Sequence, residues 1–183
     1  MNQKGCKLVI AVIGGRSANT DVRAIELARE VGRELARRDI AVICGGGDGI
    51  MEAVCEGVKS LGGVTFGVTK GNSHADINQF IDYPIVTSMD LARNHIIVWT
   101  GQGVIAFDGM YGTLEETALT LDIEKPLIVM GDRPLIDTTA VKLPFFQHIR
   151  GYETANVPDA IDAMMEMISE HGKQIKTEKY DAV

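Results

Sequence analysis

Short apolar runs that end in glycine turns alternate along this chain with stretches whose apolar positions fall at helical spacing. Lys7 to Ile13 (KLVIAVI) stops at Gly14-Gly15-Arg16-Ser17, the pattern of a strand entering a tight polar turn. From Asp21 to Arg38, the residues Ile25, Ala28, Val31 and Leu35 recur with Arg and Glu between them, which predicts an amphipathic helix. The unit then repeats. Ile40 to Cys44 is closed by Gly45-Gly46-Gly47-Asp48-Gly49, and Ile50, Ala53, Val54, Gly57, Val58 and Leu61 follow as a helical face. Val64 to Val68 predicts a third strand. After it comes the longest polar connection, Thr69 to Asp82, of the kind that covers ligands beside strand ends. Pro84 to Thr87 reads as a short extended piece, and Ser88 as the cap of a helix through Met89, Arg93, Ile96 and Ile97. Val104 to Phe107 predicts a strand, Gly112 to Asp122 a helix and Pro126 to Met130 another strand. Ala160, Ile161, Met164, Met165 and Ile168 predict a last helix, its methionines read as core or subunit contact, and a polar tail begins at Gly172.

Sustained strand-helix alternation with apolar strands predicts an α/β fold. The expected form is a doubly wound, Rossmann-like parallel sheet with helices on both faces. At 183 residues the chain supports one sizeable core, so a single domain is expected over residues 1–171 with the tail at 172–183. In such a sheet, ligands sit at the strand C-terminal ends. The three glycine turns, Gly14-Gly15, Gly45 to Gly49 and Gly109 to Gly112, all follow strands and therefore converge on that edge.

Charge narrows the ligand. The formal net charge is −7 and no run of Lys or Arg occurs, so nucleic acid is excluded as a partner. A small anion is not, because backbone N–H groups at a helix start hold phosphate locally against an acidic background. Cys6, Cys44 and Cys55 lack metal-ligand spacing and read as reduced thiols, and the four scattered histidines assemble no metal site. No signal-peptide pattern or membrane-length apolar run is present, so the expectation is a cytoplasmic protein with no membrane partner.

Phe107-Asp108-Gly109-Met110-Tyr111-Gly112-Thr113-Leu114-Glu115-Glu116 carries two readings. Gly109 and Gly112 let N–H groups face a phosphate, with the Thr113 hydroxyl as a further donor; alternatively, Thr113 and Glu116 form a capping box that needs no ligand. The Gly45-Gly46 turn, continuing to Met51, is either a second ligand wall or a close helix-strand contact. Arg93 is either an anion clamp or a surface salt-bridge residue, and Ser17 either touches ligand or shapes a helix-entry turn. No Gly-Lys-Ser or Gly-Lys-Thr is present, and Gly14-Gly15-Arg16 lacks the further spaced glycine of a dinucleotide fingerprint. Walker-type nucleotide hydrolysis and a nicotinamide cofactor are therefore not expected.

Several of these pieces in order resemble the Lonely-Guy (LOG) type of Rossmann protein, in the branch that includes molybdenum-cofactor carrier proteins. They are Gly14-Gly15, Gly45-Gly46 with Gly49-Ile50-Met51-Glu52-Ala53, Gly62-Gly63, Gly67-Val68, Ala92-Arg93-Asn94 and Gly112-Thr113-Leu114-Glu115-Glu116. The resemblance runs from about Leu8 to Met130. It implies a phosphoribohydrolase that cleaves a purine nucleoside 5′-monophosphate to base and ribose 5-phosphate, with Arg93 and Glu116 catalytic and Arg93 keeping Glu116 ionised. Gly14, Gly15, Ser17, Gly45, Gly46, Met51, Gly109, Gly112 and Thr113 would hold the phosphorylated ligand. Asp108 and Met110 stand where the family motif has Pro and Gly, and Asn94 stands where the hydrolases have Lys. Those departures point to the alternative, a non-catalytic carrier for molybdenum cofactor or another phosphorylated pterin or nucleotide. Neither reading requires a cofactor for catalysis, and molybdenum cofactor enters as a bound ligand. The family's lysine decarboxylase label is set aside, because no pyridoxal-phosphate site is recognisable. A homodimer or higher homo-oligomer is also implied.

Overall fold

The computed structural model describes residues 7–17, 20–131, 149–152 and 156–181; Cys6 lies outside them. Among these residues, seven strands form one sheet in the order β4-β3-β2-β1-β5-β6-β7, and every pairing is parallel. The strands are β1 (Val9–Ile13), β2 (Ala41–Cys44), β3 (Thr65–Thr69), β4 (Tyr83–Val86), β5 (Gly103–Ala106), β6 (Leu127–Met130) and β7 (Ile149–Tyr152). Among the described residues, five α-helices accompany them: α1 (Val22–Arg37), α2 (Ile50–Ser60), α3 (Asn94–Thr100), α4 (Tyr111–Asp122) and α5 (Val157–Asp181). This is the doubly wound single domain that the alternation predicts. Strand β7 had no counterpart in the apolar pattern. Helix α5 continues through Asp181, past the Gly172 position where the sequence places a polar tail.

Period-two alternation along buried strands divides the core into two layers. Ile10 and Val12 join the cluster under α1, α2 and α5. Ala11 and Ile13, one residue out of phase, join the cluster under α3 and α4. Ala11 stands level with Ile43 on one side and Val104 on the other, so β1 is the hub of the sheet. The chain leaves β1 outward through β2, β3 and β4, then returns to β5 on the opposite side.

Local chemistry places the helix ends. Asp21 caps α1, its carboxylate accepting from the Arg23 N–H at 2.7 Å. At the other end of the sequence-predicted Ser88 helix the expectation is corrected. Ser88 adopts a left-handed φ of 54° and caps nothing. A 3₁₀ turn, Asp90–Arg93, precedes α3 instead. Its entry is fixed by the backbone, with the Ser88 N–H on Gly71 O at 3.0 Å and the Asp90 N–H on Lys70 O at 3.1 Å. The C-terminus of α3 is closed by Lys125, whose Nζ donates to Val98 O (2.6 Å), Trp99 O (3.1 Å) and Gly101 O (2.7 Å). A cation there complements both the orphan carbonyls and the helix dipole.

Helices α1 and α2 touch backbone to backbone, because each carries a glycine at the crossing. A Cβ at Gly57 would lie 2.0 Å from Arg29 O, and one at Gly32 would lie 2.1 Å from Val54 O. That contact sets where the Gly45–Gly49 turn, which leads into α2, sits relative to the rest of the edge. Replacing Gly57 with Ala should therefore destabilise the protein by about 1–3 kcal/mol through overpacking, despite the roughly 1 kcal/mol gain in helix propensity. Equilibrium urea denaturation measures this, and an unchanged or raised midpoint would contradict so close a crossing.

Candidate functional site

Chains leaving β1 and β5 diverge, so the strand C-terminal ends bracket a crevice at the switch point between them. The two turns are stitched across it by the Gly15 N–H donating to Asp108 O at 2.8 Å. A groove of about 220 Å³ opens beside this stitch. Its floor and walls come from Gly14, Gly15 and Arg16 after β1, Gly45 after β2 with Met51 on α2, and Lys70 after β3. Leu91, Arg93 and Asn94 close the third side, and Met110, Gly112, Thr113 and Glu116 the fourth.

Of the residues expected from the sequence, Gly14, Gly15, Gly45, Met51, Arg93, Gly112, Thr113 and Glu116 meet in this groove. Ser17, Gly46 and Gly109 do not line it. The Ser17 hydroxyl donates to Asp48 Oδ2 at 2.7 Å. Gly46 accepts from the Asn78 backbone and side chain at 2.8 and 3.1 Å. Gly109 is packed so that a Cβ would lie 2.2 Å from Thr113 Oγ1. The glycine turn after β2 is thus both wall and packing: Gly45 faces the groove, while Gly49, at φ +71°, lies against Gly15 O, where a Cβ would come within 2.5 Å.

The capping-box reading of Thr113 and Glu116 is corrected. Helix α4 starts two residues earlier, at Tyr111, and its N-cap, Met110, makes no side-chain cap bond. The first N–H groups of α4 are therefore left without a capping side chain, beside Gly112 and Thr113 in the groove wall. Thr117 and Thr120, on the buried face, satisfy their hydroxyls by donating to Thr113 O and Glu116 O.

Arg93 is not a surface salt-bridge residue. Its Nη1 donates to Gly45 O at 2.6 Å and, in a shorter contact, to Val68 O. The guanidinium so ties the ends of β2 and β3 to the turn before α3. It lies flat over Gly45, where a Cβ would meet Nη1 at 2.6 Å. Its Nε is buried without a hydrogen-bond partner. Burial lowers its pKa from the ordinary arginine value, Glu116 opposes this, and the Arg16 charge across the groove lowers it further. The group nonetheless stays protonated.

Glu116 is 8% exposed. Among the described residues its carboxyl makes no ion pair with Arg93 and takes no hydrogen bond. Burial pushes its pKa up to about 8, against the pull of Arg93 and with a smaller push from Glu115. The expectation that Arg93 keeps Glu116 ionised is therefore corrected: desolvation outweighs a guanidinium already committed to backbone carbonyls. Asp108, one of the departures from the family motif, is absent from the groove lining, whereas Met110 is part of it and 55% exposed.

Among the lining residues not singled out as site residues from sequence are four polar or apolar contributors, Arg16, Asn94, Lys70 and Leu91. Arg16 directly follows Gly14-Gly15, and Asn94 directly follows Arg93, so adjacency to a turn or motif was the available signal. Lys70 and Leu91 carried none, because the backbone pairing of two distant loops brings them in. Asn78 buttresses the site from the long connection, its Nδ2 donating to Gly47 O at 2.8 Å. Behind the groove, Cys44 and Cys55 are unbridged and buried with their sulfurs 3.6 Å apart. Among the described residues, no group of three or more His, Cys, Asp or Glu is placed to hold a metal, and no helix is long and apolar enough to cross a membrane.

Residues 7–157 match the model of the SLOG cluster4 family. An "uncharacterized protein" of Archaeoglobus fulgidus is 34% identical over 131 residues, spanning 68% of this chain and 85% of that one. Among solved structures, the molybdenum cofactor binding protein of the phototrophic bacterium Rippkaea orientalis aligns with a TM-score of 0.81. It shares 26% identity, and the match covers 90% of this chain and 99% of that one. The molybdenum cofactor carrier protein of Chlamydomonas reinhardtii aligns with a TM-score of 0.78 at 29% identity, over 89% and 99% of the two chains.

The raised Glu116 pKa makes stability depend on pH with a definite sign. Between the ordinary value of 4.5 and about 8, the folded chain holds a proton that the unfolded chain releases. This contribution is complete below pH 4.5 and is lost as pH rises to 8, by at most about 1.4 kcal/mol per pH unit. Glu116→Gln removes the titration, so its melting temperature should exceed that of the wild type at pH 8 and converge with it near pH 5. Parallel melting curves across that range would contradict a buried, neutral Glu116.

Proposed function

Because this chain belongs to the SLOG cluster4 family, we propose that it binds and carries a phosphorylated pterin or nucleotide without turning it over, with molybdenum cofactor as the leading candidate. The observation that carries this reading is the charge state of the groove. Arg16, whose Nε lies 3.6 Å from Asp48 Oδ1, Lys70 and Arg93 line it as cations, and the one carboxyl among its described lining residues, Glu116, is held largely protonated at pH 7 by burial. A chain of net charge −7 thus keeps a locally positive cleft, which suits a phosphomonoester dianion. The uncapped start of α4, with Thr113, supplies N–H and hydroxyl donors for the phosphate.

The same charge state weighs against hydrolysis that uses Glu116 as base or charge stabiliser. Cleaving an N-glycosidic bond builds positive charge on the sugar, and an ionised carboxylate is what stabilises it or activates the attacking water. A neutral Glu116 does neither. The phosphoribohydrolase reading rests on Arg93, Thr113 and Glu116 lining one groove, which is the arrangement the LOG resemblance implies. Molybdenum cofactor is a pterin phosphomonoester, and on this reading it is cargo: the chain offers phosphate and ring contacts, and its described residues offer no metal ligands. Exposed Leu91 and Met110 at the mouth suit the faces of a ring. The groove volume falls below the roughly 300–1,000 Å³ of enclosed ligand sites, so a bound ring would stand partly outside it.

Incubation with AMP, GMP and IMP, followed by chromatography, separates the two readings. Binding with no released base is expected; released base would overturn the carrier. Protein purified from a cofactor-replete host should give pterin fluorescence on denaturation, and failure to bind added cofactor at saturation would remove molybdenum cofactor as the ligand. A homo-oligomer is part of the proposal, supported by large apolar side chains exposed on the two helices of one sheet face, Trp99 on α3 and Tyr111 and Leu114 on α4. Sedimentation velocity should show a dimer or larger species, and a monomer at all concentrations would refute it.

A further inference from the structure

A polar group shut away from water normally has a partner, because leaving it unpaired costs free energy. Arg93, on the groove wall, holds one that does not: its Nε is buried with no hydrogen-bond acceptor. Glu116 is more than nine-tenths buried as a residue, and its carboxyl, which lines the groove, has neither a hydrogen bond nor an ion pair among the described residues. Both belong to side chains that line the same cavity, so the missing partner is something that enters it. Glu116 lies three residues after Thr113 on α4. Side chains so spaced stand on one helix face with Cβ atoms about 5–6 Å apart. A ligand whose phosphate sits at the start of α4 therefore brings its organic part past Glu116.

What Glu116 asks of that organic part depends on its charge. A carboxylate accepts only and is best met by two donors; a carboxylic acid donates once and accepts once. Burial favours the acid, against the cations nearby. Arg93 is the near cation, and its Nη1 is bonded to Gly45 O and Val68 O. Arg16 and Lys70 line the far walls, Cys44 lies at the end of β2 within electrostatic reach, and Glu115, beside it on α4, adds negative charge. The Asn94 amide that reaches this corner donates to Glu115 at 3.2 Å rather than to Glu116.

We propose that Glu116 is a specificity-determining residue of this groove that meets its ligand as a neutral carboxylic acid, donating one hydrogen bond and accepting another. The inference rests on the phosphorylated-ligand reading above and adds the class of group recognised. That group carries an acceptor beside a donor, as on the lactam edge of a pterin or the amino-imine edge of adenine, rather than a paired-donor edge. It also makes binding proton-linked: ionised Glu116 would repel the phosphate one helical turn away, so affinity is held below the carboxyl's pKa of about 8 and declines above it.

Calorimetric titration with AMP, GMP and IMP, and separately with inorganic phosphate, at pH 6.5 to 9 tests this on wild type, Glu116→Gln and Glu116→Ala. Melting curves of each variant confirm folding. Glutamine keeps one donor and one acceptor but does not titrate, and it leaves Arg93, Cys44, Arg16 and Lys70 in place. For the nucleotide that wild type binds best, wild-type affinity should be flat near pH 7 and fall towards tenfold per pH unit above 8. Glu116→Gln should stay within about threefold of the wild type's pH 7 affinity throughout. Glu116→Ala should weaken that nucleotide tenfold or more at pH 7 while leaving inorganic phosphate unchanged. A Glu116→Gln protein as weak as Glu116→Ala, or wild-type binding that tightens as pH rises, would show a carboxylate at work and overturn the proposal while leaving the phosphate groove standing. Absence of binding to any of the four probes by wild type would instead overturn the phosphorylated-ligand reading, and this inference with it.

Discussion

The guanidinium of Arg93 holds this site together by donating to backbone carbonyls rather than to a carboxylate. By bonding Gly45 O and Val68 O, it ties the ends of two neighbouring strands to the turn before α3, so the floor of the groove and one wall move as a unit. Desolvating an arginine is costly, and those two carbonyls offset the cost in part. The geometry also has a chemical consequence. A guanidinium anchored to backbone leaves Glu116 without an ion pair, and an unpaired buried carboxyl keeps its proton. The charge balance of the groove follows from that one commitment.

Binding and catalysis draw on the same residues here and diverge at Glu116. A cationic cleft with uncapped helical N–H groups is complete as an anion site without further chemistry. Hydrolysis with Glu116 as base or charge stabiliser would need the opposite electrostatic character there, a negative charge facing the scissile bond. The likeness to molybdenum-cofactor binding and carrier proteins and the raised pKa of Glu116 are separate supports for the proposed carrier role.

Much of the framework was legible because it depends on periodicity and on turn chemistry. Strand β1, helix α1 and the three glycine turns could be placed from the alternation of apolar and polar residues, and their convergence followed from the parallel topology. Helix boundaries shifted by a residue or two where capping chemistry differed from its local look. Thr113 resembles an N-cap in sequence, yet it lies inside α4 because the chain enters the helix at Tyr111. Ser88 resembles one as well, but the backbone of the preceding loop pins it in a left-handed turn. Local patterns of this kind compete with long-range hydrogen bonds that no short window contains.

By itself, then, the sequence determined the α/β class, the order of elements and the edge on which the glycine turns converge, because these follow from side-chain periodicity and right-handed crossovers. The LOG resemblance brought Arg93 and Glu116 forward as a pair. Only the tertiary structure decided what that pair is. Whether an arginine clamps an anion, pairs with a carboxylate or anchors backbone depends on which carbonyls lie within 3 Å of it, and those come from β2 and β3, far away in the chain. Whether a glutamate is charged depends on its burial and on the partners left to it, and both are properties of the folded groove.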